Sequence, residues 1–239
     1  MKHAILLSAV SVALAGCSVL PSSPQDRAGD MPRSGGTTMS APVDASPRLS
    51  NARPAARGRA EAQCLRDLGQ AGARFDALPD QYLEEGCSTL NTVQMHALQS
   101  DGRTLGIGNV GPVTCPVSTA FAAWARFGVD RAARQIFGSG LASIQTMGSY
   151  SCRNVAGTSR RSGHASASAI DIGGFVLEDG RRINVQSGWN GDAQEREFLR
   201  VVQRSACRRF ATVLGPDYNT AHRDHFHVEG VIEGSSYCR

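Results

Sequence analysis

The stretch "AEAQCLRDLGQAGARF" repeats its apolar positions at helical spacing and predicts a helix ending near Gly72. After it, "LNTVQMHAL" and "TLGIGNVG" read as strands. The long run "PVSTAFAAWARFGVDRAARQIFG" suits one or two helices, with Pro116 near a helix start. "LASIQTMGSYS" predicts another strand. "AIDIGGFVLEDGRRINVQSGW" alternates on both sides of Asp179-Gly180, the pattern of a hairpin. "AQEREFLRVVQRSACRRF" predicts a helix, "ATVLG" a short strand and "HFHVEGV" a closing strand. No internal repeat interrupts the order. The expected fold class is α+β, a small antiparallel sheet with flanking helices.

Upstream the pattern is different. "MKHAILLSAVSVALAGC" is a short charged end followed by an apolar run too short to span a bilayer. Residues 18 to 58 are dominated by Pro, Gly, Ser, Ala and Arg and contain no aromatic residue, so they cannot bury a core. The chain therefore divides into a leader at 1–16, a disordered tether at 17–58 and one folded domain at 59–239. A flexible coil of that length spans on the order of 35 Å. The "LAGC" that ends the apolar run resembles a bacterial lipoprotein signal. That resemblance implies cleavage before Cys17, its lipidation, and anchoring in the outer membrane of a Gram-negative cell.

Composition narrows the partners. Net charge is +4 and Lys2 is the only lysine. No dense basic run occurs, so nucleic-acid binding is not indicated. Setting Cys17 aside leaves Cys64, Cys87, Cys115, Cys152, Cys207 and Cys238. An even number of cysteines in an exported chain predicts three disulfides. Six cysteines allow 15 pairings. Proximity along the chain favours Cys64–Cys87, Cys115–Cys152 and Cys207–Cys238.

The histidines carry the candidate chemistry. His3 lies in the leader, and His96 reads as an ordinary surface or strand residue. The other four are His164 in "SGHASASAID" and His222, His225 and His227 in "AHRDHFHVEG". Alternate side chains of a strand share a face. His225 and His227 thus point one way and Phe226 the other, while Asp171 opposes Ile170 and Ile172. The two apolar faces can enter the core while the imidazoles and the carboxylate converge, with His164 entering from the loop before its strand. Such groups are natural zinc ligands, and a catalytic zinc keeps three protein ligands plus water.

"SGHASASAID" followed by "DHFH" resembles the LAS group of zinc peptidases. It is nearest the D-Ala-D-Ala metallopeptidase branch, with its pattern S-x-H-x-x-G-x-A-x-D and then H-x-H. Within that branch, "GSYSCR", "AIDIGGF", "ACRRFATVLGP" and "HRDHFHVEG" are similar to the extensin-like C-terminal domain family. The resemblance covers nearly all of residues 60 to 239. It implies that His164, Asp171 and His227 hold zinc and that His225 stands beside the metal as proton carrier or oxyanion stabiliser. His222 falls at the spacing seen in murein endopeptidase relatives. Ser162 and Ala169 match the pattern, and Ser162 is carried over with the substrate-binding side. Arg153, in an element similar to "GYRS", is a candidate to grip a substrate carboxylate, against the reading of a surface arginine. Asp224 either orients a histidine or is solvated, and Trp189 is expected in the core. One position departs. Ala167 stands where the pattern has Gly, which costs little where the backbone has negative φ.

The function implied is a zinc-dependent peptidoglycan peptidase on an outer-membrane lipoprotein, cutting stem peptides as endopeptidase or carboxypeptidase. A non-catalytic peptidoglycan-binding lipoprotein with a structural zinc and a cell-wall amidase are the other classes.

Overall fold

The computed structural model describes residues 58–239. The leader, Cys17 and residues 18–57 lie outside the described residues. In chain order, α1 (Arg59–Gln70) leads to β1 (Arg74–Ala77), and β2 (Gln81–Glu84) pairs with β3 (Cys87–Thr89) in a separate hairpin. β4 (Thr92–Gln99), β5 (Thr104–Gly108) and β6 (Val113–Thr114) follow. α2 (Cys115–Trp124) continues through a π-helical stretch, Ala125–Asp130, into α3 (Arg131–Phe137). The remainder is β7 (Leu141–Gly148), β8 (Ala169–Leu177), β9 (Arg182–Asn184), α4 (Val185–Gly188), α5 (Ala193–Ala206), β10 (Phe210–Leu214), β11 (Phe226–Val231) and β12 (Tyr237–Cys238).

The sheet is larger than expected and is mixed. It has ten strands in the order β1-β4-β5-β7-β8-β11-β10-β12, with β6 on β4 and β9 on β8. β5 pairs with β7, and β10 with β12, in parallel; the other pairs are antiparallel. Two physical reasons explain the difference. β1, β6 and β12 are too short, at two to four residues, to show alternation. The helical run between β5 and β7 returns the chain in the same direction, which is how parallel neighbours are joined.

A buried aromatic group holds the helical layer to one sheet face. Trp124 meets Phe121 from its own helix, Phe175 from β8 and Phe210 from β10, and Phe198 of α5 packs on Phe175. All five are buried, and each such side chain contributes roughly 1.5–3 kcal/mol on leaving water. The Trp124 Nε1–H donates to the Val202 carbonyl at 3.0 Å, so the indole is buried with its donor satisfied. Ile170, Ile172, Phe226 and Val228 join this core. The alternation read from the sequence holds here, and the opposite face of β8 and β11 is left for polar groups.

Three disulfides form, but two of the expected pairings are wrong. The bridges are Cys64–Cys115, Cys87–Cys152 and Cys207–Cys238. Only the last follows proximity along the chain. Cys64 lies on α1, which packs against α2, so its partner is Cys115 at the start of α2. Cys87 is carried away by the β2–β3 hairpin and meets Cys152 in the loop after β7.

Candidate metal centre

β8 and β11 run antiparallel with Asp171 directly opposite His227. His164 reaches the same spot from a 3-10 turn, Gly163–Ser166, that precedes β8. Ser162 caps that turn: its Oγ accepts from the His164 backbone N–H at 3.4 Å. Gly163 has a spatial reason, since a Cβ there would collide with the Glu229 carboxylate at 2.4 Å.

Ala167 closes the turn in the left-handed region, at φ 53° and ψ 25°, fully buried. The negative φ at which alanine would replace glycine at little cost is therefore not what Ala167 has. The turn needs left-handed backbone because Ala167 N–H returns to the His164 carbonyl at 3.2 Å before the chain enters β8. Glycine takes that conformation freely, and alanine takes it at a cost of roughly 1–2 kcal/mol.

Three donor atoms converge. His164 Nε2 lies 3.1 Å from Asp171 Oδ2 and 3.1 Å from His227 Nδ1. His227 Nδ1 lies 2.9 Å from Asp171 Oδ1. The far side of each ring is occupied: His164 Nδ1 donates to the Ser149 carbonyl at 2.5 Å, and His227 Nε2 donates to Glu229 Oε2 at 3.1 Å. With those outer nitrogens protonated, neutral rings turn both inner lone pairs toward the Asp171 carboxylate. Three acceptors this close repel unless a cation sits among them. Burial opposes the Asp171 charge, but where the inner nitrogens carry protons, hydrogen bonds from His164 and His227 outweigh it and hold the carboxyl below its ordinary range. Burial likewise disfavours the His227 cation, but hydrogen bonds to Asp171 and Glu229 push it up to about 9. A proton on His227 is one way to neutralise the cluster, and a metal ion is the other. Neighbouring donors in a tetrahedral zinc site stand about 3.3 Å apart, close to the spacing found here.

The residue range around this cluster also decides the family. Residues 62–239 match the family described as extensin-like protein C-terminus. The chain belongs to this family. No curated protein and no solved structure matches it.

Around the donor set of this extensin-like domain stand the other expected residues. His225 is held apart from the donors: its Nε2 is 3.5 Å from Asp171 Oδ1, and its Nδ1 donates to Asp224 Oδ1 at 2.8 Å. Of the two readings for Asp224, orientation of a histidine is the one observed. His222 is half-buried, with its ring centroid 5.2 Å from that of His225 and 5.9 Å from that of His227. Its Nδ1 donates to Asn219 Oδ1 at 2.7 Å. Burial, then repulsion from His225 and His227, push its pKa down to about 4, so the ring is neutral at pH 7. Arg153 stands at the rim, half exposed, with Nη2 4.0 Å from Asp171 Oδ2.

Other expectations resolve simply. Trp189 is in the core, edge-to-face with Phe226, with its Nε1–H donated to Asp217 at 2.7 Å. His96 is an exposed β4 residue bonded to Asp76 at 2.9 Å. Glu84, Cys87 and Cys152 also cluster, but the two sulfurs are committed to a disulfide. Sequence reasoning missed Glu229 and the Ser149 carbonyl. Glu229 was within reach: it follows His225 and His227 at the same two-residue step, which puts all three on one face. The carbonyl leaves no side-chain signal. Among the described residues no helix is long and apolar enough to cross a membrane, and three disulfides fit a periplasmic or extracellular location.

Proposed function

We propose that this domain is a zinc-dependent peptidase acting on peptidoglycan stem peptides. The observation that carries the reading is the triangle of His164, Asp171 and His227 donor atoms at 2.9–3.1 Å, with His225 beside it but outside it. A structural site gains nothing from that extra imidazole, whereas a hydrolytic one needs a mobile proton next to the metal. The likeness of residues 162–171 and 222–227 to the D-Ala-D-Ala branch of the LAS peptidases points the same way.

His164, Asp171 and His227 would hold the ion. When bound, zinc supplies Lewis-acid polarisation of a carbonyl and a more acidic water. The protein's own groups do the rest. Asp224 fixes the Nδ1 side of His225, so the Nε2 side faces the donor triangle and can exchange a proton there. Asn219 fixes the Nδ1 side of His222, which leaves its Nε2 as an acceptor in the same pocket. Arg153, with a planar fork of donors at the rim, is placed to hold a substrate carboxylate. Ser162 supports the turn that delivers His164. Cys17 would carry a lipid that tethers the domain to the outer membrane, with peptidoglycan within reach.

Digestion of purified peptidoglycan with and without a chelator tests this, with released fragments read by mass spectrometry. Chelator-sensitive cleavage of a peptide bond within the stem is the expected result. Binding without cleavage by metal-loaded protein would favour a non-catalytic wall-binding role. Cleavage between sugar and peptide would make the domain an amidase.

A further inference from the structure

A groove of about 430 Å³ opens on the sheet face that carries the donor triangle, a volume within the range of ligand sites. Its lining includes Gln145 and Met147 from β7, Gly173 from β8, Arg182 and Asn184 from β9, and Asp224. Asp224 is the residue that holds His225, so the groove begins where the candidate site ends. Gly173 is two residues beyond Asp171 on the same strand, roughly 7 Å along it.

Resting on the peptidase reading, we propose that this groove is a subsite for an extended acidic peptide segment on one side of the scissile bond, with Arg182 binding its carboxylate. Three features of the groove support this. The floor is yielding: position 173 has no side chain, and what lies over it is the flexible, half-exposed side chain of Met147, 3.2 Å from where a Cβ would stand. Gln145 brings a carbonyl acceptor and Asn184 an amide donor for peptide groups, while Gln145 Nε2 donates to Ser143 Oγ and Asn184 Oδ1 accepts from the Gln186 and Ser187 N–H groups at the start of α4. The ends differ in charge, with Asp224 near the site and Arg182 far from it. The Arg182 side chain is exposed, and its guanidinium makes no hydrogen bond or ion pair among the described residues. It pairs with Val176, five residues along β8 from Asp171, about 16 Å of strand. An extended peptide covers that distance in about five residues, fewer once the arginine's own reach is counted. The groove therefore favours a carboxylate a few residues from the bond cut and disfavours one beside Asp224.

Two variants probe this without touching the donor triangle. Arg182→Gln removes the charge. Gly173→Leu fills the floor: the backbone there needs no left-handed φ, and a Cβ would press on Met147 Cγ and Sδ at 3.2 Å, a flexible side chain that can move, and touch the Gln145 carbonyl at an ordinary 3.9 Å. The probes are soluble stem-peptide fragments from purified peptidoglycan, used with their carboxyls free and after amidation. Binding is measured by calorimetry and turnover by steady-state kinetics, with metal content as a check on folding. Wild-type protein should bind the free-carboxyl fragments roughly tenfold more tightly than the amidated ones. Arg182→Gln should erase most of that preference, raise KM and leave kcat and metal content unchanged. Gly173→Leu should weaken binding of both forms. If Arg182→Gln keeps the full preference, or Gly173→Leu binds as wild type does, the groove is not the subsite. If the preference depends on Arg182 but no bond is cut, the subsite stands and the peptidase reading falls.

Discussion

Asp224 holds His225 through a 2.8 Å hydrogen bond to Nδ1, and so leaves Nε2 as the atom that faces Asp171. This fixes a histidine beside a metal-type donor set without making it a donor. His225→Ala should therefore keep metal near one per chain while turnover falls by roughly two to four orders of magnitude. Asp224→Asn should cost less, since the ring stays and only its orientation loosens. Metal analysis by mass spectrometry beside a turnover assay checks both. Loss of metal in His225→Ala would make that residue a ligand and turn the site into a structural one.

His227→Ala removes one corner of the triangle, and Asp171→Ala removes its charge. Each should lose metal and activity together. Chelation of the wild type should do the same, and added zinc should restore it. Two histidines and one carboxylate also suit ferrous iron. Copurification of iron with no zinc-restored activity would overturn the zinc assignment.

The parts legible in the sequence were those written in side-chain periodicity. Phe226 and Val228 against His225 and His227, and Ile170 and Ile172 against Asp171, announce two strands with one apolar and one polar face. That pattern puts His225, His227 and Asp171 on one side, while the choice of His164, Asp171 and His227 as the donor set came from the resemblance to the LAS peptidases. What escaped had no such trace. β6 and β12 are two residues long, and their pairing is decided by distant partners. Cys64 and Cys87 are successive cysteines along the chain, yet helix packing takes one and a hairpin takes the other. The Ser149 carbonyl is main chain. Ala167 hid its left-handed backbone behind a residue that usually avoids it.

The metal-free cluster stores a proton on His227, whose pKa is pushed up to about 9 by Asp171 and Glu229 against the effect of burial. A metal needs that nitrogen neutral. At pH 7 the folded protein therefore starts protonated, and binding releases a proton. Metal affinity should rise about tenfold per pH unit through neutrality and level off above about 9. Calorimetry in buffers of different ionisation enthalpy measures the proton count directly. An affinity flat between pH 6 and 8 would remove the claim.

Ala167→Gly tests the turn. At φ 53° the methyl is unfavourable, while glycine adds entropy to the unfolded chain. The relief exceeds the entropy cost, so the variant should be more stable by up to about 1 kcal/mol. Denaturant unfolding checks it. Destabilisation would mean that burial of the methyl outweighs the strain.

The disulfides should differ in what they protect. Alkylation of the denatured domain should find no free thiol among the six cysteines, and peptide mapping should recover Cys64–Cys115, Cys87–Cys152 and Cys207–Cys238. Loss of any one should cost a few kcal/mol. Only one sits next to the site. Cys152 is three residues after Ser149, whose carbonyl holds His164, and the Ser151 N–H bonds back to the His164 carbonyl at 3.1 Å. The bridge to Cys87 pins that loop to the β2–β3 hairpin. Replacing Cys87 and Cys152 together by serine should therefore weaken metal binding roughly tenfold or more, because the support of one ligand loosens. Replacing Cys207 and Cys238 should lower stability and leave metal affinity near the wild-type value, since that bridge ties the end of α5 to β12. Equal loss of affinity in both double variants would show that the Cys87–Cys152 bridge acts on the site only through global stability.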